Sequence, residues 1–234
     1  MTRLNILVTG SSRGIGRATA AALSHHHVIG HSSAGGEGRI AADFAREGVA
    51  EPLWQEALAQ AGGRIDVLVN NAGLFEATPI EQEHDGWLAG WERTMRINLT
   101  ASAELCRLAV THFRENGGGR IVNVASRAAY RGDSPQHWHY AAAKAGMIGM
   151  TKTIARGYAR ENILAFAVCR GFTMTGMAED YLESRGGDKL LADIPLGRVA
   201  SSEEVAETVR WLATDAPASA TGAVIDVNGA SYVR

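Results

Sequence analysis

Short apolar runs rich in β-branched residues recur along this chain, and each gives way to a turn and then to a stretch of helical character. The clearest are Ile6-Leu7-Val8, Val28-Ile29, Val67-Leu68-Val69, and the segments 121–124, 164–168 and 223–227. The runs are continuous and do not alternate with polar residues, so they suit strands covered on both faces, which is the condition of a parallel sheet. Helices are expected between them at about 14–24, 52–61, 85–116, 140–160 and Ser202–Thr214, the last opened by an N-cap serine and followed by Pro217. Strands alternating with helices imply an α/β, doubly wound, Rossmann-type parallel sheet with helices on both faces.

A chain of 234 residues is within reach of a single core. No Pro- or Ser-rich linker and no internal repeat divides it, so one domain over 1–234 is expected. One crossover looks incomplete. Between the end of the second strand at Ser33 and a third strand expected at 39–43 lie only Ala34-Gly35-Gly36-Glu37-Gly38, where parallel strands usually need a helix. The helix between strands 2 and 3 is therefore predicted to be missing, replaced by a taut loop.

Composition narrows the function. A net charge of −2 argues against an electrostatic footprint for nucleic acid or for an anionic membrane. The 2 cysteines, Cys106 and Cys169, lie far apart with no CxxC spacing, so they read as buried thiols, and neither a disulfide framework nor a metal site is expected. His25-His26-His27 reads as a solvated turn. Only three apolar residues stand between Asn5 and Thr9, too few for a secretory signal, and no apolar run nears the ~18 residues of a membrane span. A cytoplasmic protein is expected. Glycine is the outlier, at 27 residues against 5 prolines, well above the usual share of about 7%.

Part of that surplus sits where it bears on chemistry. Thr9-Gly10-Ser11-Ser12-Arg13-Gly14-Ile15-Gly16 directly follows the first strand and opens the first helix. Bare backbone there lets a pyrophosphate approach, and a helix N-terminus supplies free N–H groups and positive dipole. Farther on, Tyr140 and Lys144 are four apart, so on a helix they share a face. An ammonium beside a phenol favours the phenolate and brings a group with a reference pKa near 10 closer to neutral working pH.

With Asn70-Asn71-Ala72-Gly73 after the fourth strand, Asn98 in the next helix, Ser126 ending the fifth strand and Tyr140-Ala-Ala-Ala-Lys144, the sequence resembles the short-chain dehydrogenase/reductase family over nearly its whole length. The resemblance implies catalytic roles. Tyr140 would be the general acid for carbonyl reduction and Ser126 the substrate-oxygen partner. Lys144 would be the pKa shifter and ribose ligand, and Asn98 the anchor of a proton relay. It also implies a nicotinamide dinucleotide held by Gly10, Ser12, Arg13, Gly14, Ile15, Gly16, Asn70, Ala72, Gly73, Gly171 and Thr173, together with Tyr140 and Lys144. Asp43, closing the third strand, matches the family's adenine-contacting aspartate.

An NAD-type site usually offers a carboxylate at the end of the second strand, but here that end reads Gly30-His31-Ser32-Ser33. Arg13, with Ser32 and Ser33, instead resembles the site for a 2′-phosphate, so NADP(H) is favoured and NAD(H) remains an alternative. Where the family commonly has Asn and then Pro-Gly in its sixth strand, this chain has Phe166 and Arg170-Gly171, and one extra residue separates Ser126 from Tyr140. Segment 172–198 corresponds to the family's substrate lid. The motifs Ile194-Pro-Leu-Gly-Arg198, Glu203-Glu204-Val205-Ala206 and 220–229 are similar to those of 3-oxoacyl-(acyl-carrier-protein) reductases. The implied activity is reduction of a ketone of 3-oxoacyl or similar type, or the reverse oxidation. The alternatives are an NAD(H)-dependent dehydrogenase of a small alcohol, sugar or polyol, and a non-catalytic redox sensor. The substrate would be a small carbonyl or alcohol, either free or carrier-bound. Arg127, Arg131 and Arg160 could face a carrier, though solvated surface is the simpler reading, and His137 and His139 could equally line the pocket or lie on a loop. Relatives usually form homodimers or homotetramers through the two long helices.

Overall fold

The computed structural model describes residues 2–173 and 191–234. It contains a seven-stranded, all-parallel sheet in the order β3-β2-β1-β4-β5-β6-β7. The strands are β1 (Asn5–Val8), β2 (His27–Ser32), β3 (Ile40–Ala41), β4 (Val67–Asn70), β5 (Gly119–Ser126), β6 (Ile163–Arg170) and β7 (Val224–Val227). Helices α1 (Gly14–Ala22), α2 (Ala50–Gln60), α3 (His84–Met95), α4 (Ala101–Glu115), α5 (Ala128–Arg131), α6 (Trp138–Tyr158) and α7 (Ser202–Thr214) connect them. The expected α/β doubly wound class is the observed one.

Both faces of the sheet are covered, as the unbroken apolar runs require. Leu7, Ile29, Leu68, Ile121 and Ala165 point to one face and pack under α2, α4 and α6 through Leu53, Trp54, Leu105, Phe113 and Ile154. Their neighbours in the same strands, Ile6, Val8, Val67, Val69, Val122, Val124, Phe166 and Val168, point to the other face, beneath Val205, Val209 and Leu212 of α7. Helix α7 starts on a capping box: the Ser201 hydroxyl accepts from the Glu204 N–H while the Glu204 carboxylate accepts from the Ser201 N–H. Pro52 sits in the first turn of α2, where a missing N–H costs nothing.

Three elements depart from expectation. The helix expected over 85–116 is two α-helices joined by a π-helical turn, Arg96–Thr100, with Asn98 at its centre. A short helix, α5, stands between β5 and α6. The absent crossover helix is indeed absent, but the loop that replaces it is compact and not taut. Because β3 is two residues long and pairs His31 with Ile40 and Ser32 with Ala41, the chain backs up only about one residue along the sheet instead of a whole strand. It makes that reversal through Gly35, Glu37 and Gly38, all left-handed, with the Arg39 N–H closing a tight turn on the Gly36 carbonyl. A longer return would have demanded the helix.

Candidate active site

Strand order reverses between β1's two neighbours, β2 and β4, and a cleft opens at the carboxyl ends of these strands, the position at which doubly wound sheets bind ligands. It measures about 930 Å³. The first turn of α1 forms its floor. Gly10 and Gly14 have φ of +66° and +50°, and a Cβ on Gly16 would fall on the Gly10 carbonyl oxygen, so the turn closes only with glycine there. Arg13, the N-cap, makes no side-chain capping bond, and the first turn holds no acidic residue. The N–H groups are thus left for an anion, which fits a dinucleotide pyrophosphate.

At the end near β2 the wall consists of Arg13, Arg17, Ser32, Ser33, Asp43 and Phe44. Asp43 uses Oδ1 to accept the Ala45 N–H at 3.0 Å. The Ser32 hydroxyl donates to the Gly35 carbonyl at 3.1 Å. Asn71 and Ala72 join the glycine turn to β4: the Thr9 hydroxyl accepts both of their N–H groups, at 3.0 and 3.1 Å, and the Asn71 amide donates to the carbonyls of Thr9 and Gly10.

At the opposite end Tyr140, Lys144, Asn98, Gly73, Thr173 and Arg170 meet. Helix α6 carries Tyr140 and Lys144 on its buried face, with Lys144 Nζ 5.9 Å from the phenol ring centre and donating to the Val124 carbonyl at 2.9 Å. Burial, and after it the Arg170 charge, pulls the Lys144 ammonium down to about 7. Asn98 is fully buried; its amide accepts the Leu74 N–H and donates to the Leu74 carbonyl, both at 2.9 Å. The π-turn directs this amide at the loop after β4, in keeping with the frequent placement of such turns at functional sites.

The family model described as enoyl-(acyl carrier protein) reductase matches residues 27–230. The chain is 38% identical over 244 residues to the 3-oxoacyl-(acyl-carrier-protein) reductase of Synechocystis sp., covering 95% of this chain and 94% of that protein. It is 34% identical to the acetoacetyl-CoA reductase of Rhizobium meliloti, with 97% of each chain covered. It is 33% identical to the 3-oxoacyl-(acyl-carrier-protein) reductase FabG of Thermotoga maritima, with 95% of each covered. The chain belongs to the short-chain dehydrogenase/reductase family. It is an oxidoreductase of the C=O/CH–OH couple.

Within this dehydrogenase/reductase, most residues singled out in the sequence lie in the cleft wall: Gly10, Ser12, Arg13, Gly14, Ile15, Gly16, Ser32, Ser33, Asp43, Ala72, Gly73, Asn98, Tyr140, Lys144 and Thr173. Three do not. Asn70 lies beneath the wall, its amide donating to Asn123 Oδ1 at 2.9 Å, and Asn71 takes its place in the lining. Gly171 packs against the Asn228 backbone, where a Cβ would come within 2.8 Å of Asn228 Cα, and its neighbour Arg170 faces the cleft instead. Ser126, at the end of β5, accepts the Ala128 N–H at 3.2 Å at the start of α5 and does not line the cleft. Segment 174–190, most of the expected lid, lies outside the described residues.

His31 was not singled out in the sequence, yet it ties the two halves of the nucleotide end together. Its Nδ1 accepts the Gly10 N–H at 3.2 Å, which leaves the proton on Nε2 for the Ala42 carbonyl at 2.8 Å, and its ring stacks on Phe44 at 4.4 Å. Burial lowers its pKa, favouring this neutral form. Phe75 was missed as well. It is 43% exposed, lies edge-on to Tyr140 at 4.8 Å and stacks flat on His137 at 3.9 Å. His137 therefore backs the wall without forming it, while buried His139 bonds Thr78 Oγ1 at 2.7 Å. Arg127 and Arg131 both pair with Asp193. His26 and His27 bond the start of β1.

Proposed function

We propose that this chain is an NADPH-dependent reductase of 3-oxoacyl thioesters, with Tyr140 as the proton donor. The observation that carries the proposal is the meeting of Tyr140, Lys144 and Asn98 at one end of a single cleft whose other end is the glycine turn. The names of the relatives supply the substrate class, a 3-oxoacyl or acetoacetyl thioester. The bound nicotinamide would supply the hydride. The glycine turn and α1 N-terminus would hold the pyrophosphate. Arg13 and Ser32 or Ser33 would meet a 2′-phosphate, Asp43 would face the adenine, and Lys144 would hold the ribose. Tyr140 gives its hydroxyl proton to the substrate oxygen as the carbonyl carbon is reduced. Asn98 keeps the loop after β4 in place. Ser126 would be the substrate-oxygen partner on the family resemblance alone, since it stands outside the cleft lining; its oxygen is the acceptor in the bond to Ala128, so its hydroxyl proton is uncommitted.

In this reading residues 1–234 form one catalytic domain with its lid at 172–198, working in the cytoplasm as a homodimer or homotetramer. Among the described residues no helix is long and apolar enough to cross a membrane. The test is initial-rate kinetics on acetoacetyl-CoA with NADPH and with NADH. NADPH should be preferred at least tenfold. Tyr140→Phe should lower kcat/KM by ~10²-fold or more, and Arg13→Ala should raise KM for NADPH while sparing NADH. Turnover of crotonyl-CoA in place of the ketone would redirect the assignment to enoyl reduction, as would faster turnover of simple alcohols or sugars with NAD⁺ to the dehydrogenase alternative. Dinucleotide binding with no turnover across such a panel would support the redox-sensor alternative.

A further inference from the structure

Arg170 ends β6, and its guanidinium reaches into the cleft. One amino group donates to the Gly171 carbonyl at 3.2 Å and the other donates to the phenol oxygen of Tyr140 at 3.0 Å. The Arg170 N–H therefore touches the oxygen that, in the reading above, loses its proton. The geometry points to Arg170 as a second catalytic cation in this chain, which stabilises the Tyr140 phenolate directly while Lys144 acts across the ring.

The balance of the step shows where the charge goes. The nicotinamide would supply the hydride for the new C–H bond at the carbonyl carbon, and the C=O π pair would move to oxygen. The Tyr140 O–H bond breaks as an O–H bond forms on the product, leaving the phenolate, while the cofactor would be left oxidised. A guanidinium hydrogen bond to that oxygen strengthens as the negative charge develops. In the reverse direction the same bond favours the phenolate that removes the alcohol proton.

Two cations are not redundant here. Lys144 is buried, and its ammonium is pulled down to about 7 by that burial and by Arg170. A guanidinium keeps its charge throughout the working range. The groups facing the phenol are Lys144 on its own helix, Arg170 on β6, and Phe75 and Asn98 from the loop and π-turn opposite. Behind them stand Cys169, which acts on Lys144, and His137 and His139, which lie beyond Phe75. Glu76 and Arg93, also on the cleft wall, are spent on each other.

The inference rests on the proposed role of Tyr140, and two measurements separate their failures. The first follows kcat/KM for oxidation of a 3-hydroxyacyl thioester against pH in wild type, Arg170→Met and Arg170→Lys. Activity that needs the phenolate rises with pH. Loss of the cation should move that rise up by about one pH unit or more, with Arg170→Lys restoring part of the shift. The second is an ultraviolet difference titration of the phenol, wild type against Tyr140→Phe and Arg170→Met against its own Tyr140→Phe partner, which needs no turnover. An unshifted profile and an unshifted phenol titration overturn the role of Arg170. A change confined to KM for anionic substrates overturns it too, and marks Arg170 as a substrate contact only. If Tyr140→Phe leaves turnover intact, the assignment of Tyr140 itself falls.

Discussion

Burial takes the Lys144 ammonium almost out of water: the residue is 3% exposed, and its acidity is raised to a pKa of about 7, chiefly by desolvation. In the unfolded chain a lysine holds its proton up to about 10.4. The unfolded state therefore binds more protons between those two values, and stability rises with pH across that window. Below about pH 7 the full cost of the buried charge is present; by the upper end of the window it has been relieved. Lys144→Met, measured without added nucleotide, should stabilise the protein most at pH 6 to 7, with the gain shrinking toward pH 10. Urea midpoints for both proteins across that range test this, and a gain independent of pH would contradict it. Single residues were unevenly legible in the sequence. Tyr140 and Lys144 stood out because their relation is local, four positions on one helix. The Arg170–Tyr140 bond joins a strand end to a helix start, and the His31–Gly10 bond joins two strands through a turn. Neither leaves a pattern in the chain, because only the sheet register brings those residues together.

At the scale of elements, the glycine turn and α1 work as one part. The Cβ of an alanine at position 16 would collide with the backbone of Gly10, and relieving that clash means parting the turn from its helix. Gly16→Ala should weaken dinucleotide binding by tenfold or more while the far-ultraviolet signal of the folded sheet persists. Quenching of intrinsic fluorescence on titration with NADPH would show it, and unchanged affinity would mean that the turn has slack the structure does not display. The strands were legible because burial on both faces leaves them uniformly apolar. The π-turn was not, since one extra residue in a helical turn hardly disturbs the periodicity of 85–116. Its effect is to set the register of α4, so that Leu105, Cys106, Ala109 and Phe113 all face the core. The short β3 escaped as well: a run of apolar residues at 40–42 marks a strand, but where pairing stops depends on how far the preceding loop backs up.

Across the whole molecule, the cleft depends on a sheet whose inner strands are buried on both faces, and Phe166 sits fully buried in β6, beside the edge strand β7. Phe166→Ala should cost about 3–5 kcal/mol, the usual range for emptying such a site. A urea midpoint lowered at unchanged slope would show the loss as one of stability and not of compactness. The same substitution lies on the face beneath α7, away from the wall formed by α6, so KM for the nucleotide should change little in the folded fraction. The doubly wound class followed from sequence because it depends on the order of elements, whereas the shape of the cleft depends on contacts between residues far apart in the chain. The compact loop between β2 and β3 has a consequence of its own. Its two ends leave the sheet side by side, about one residue apart in height, so the register of every other strand is indifferent to what joins them. A peptide of any length whose ends meet could be spliced between Ser33 and Arg39, which makes this rim the place where the nucleotide end of the cleft can be rebuilt without redrawing the fold.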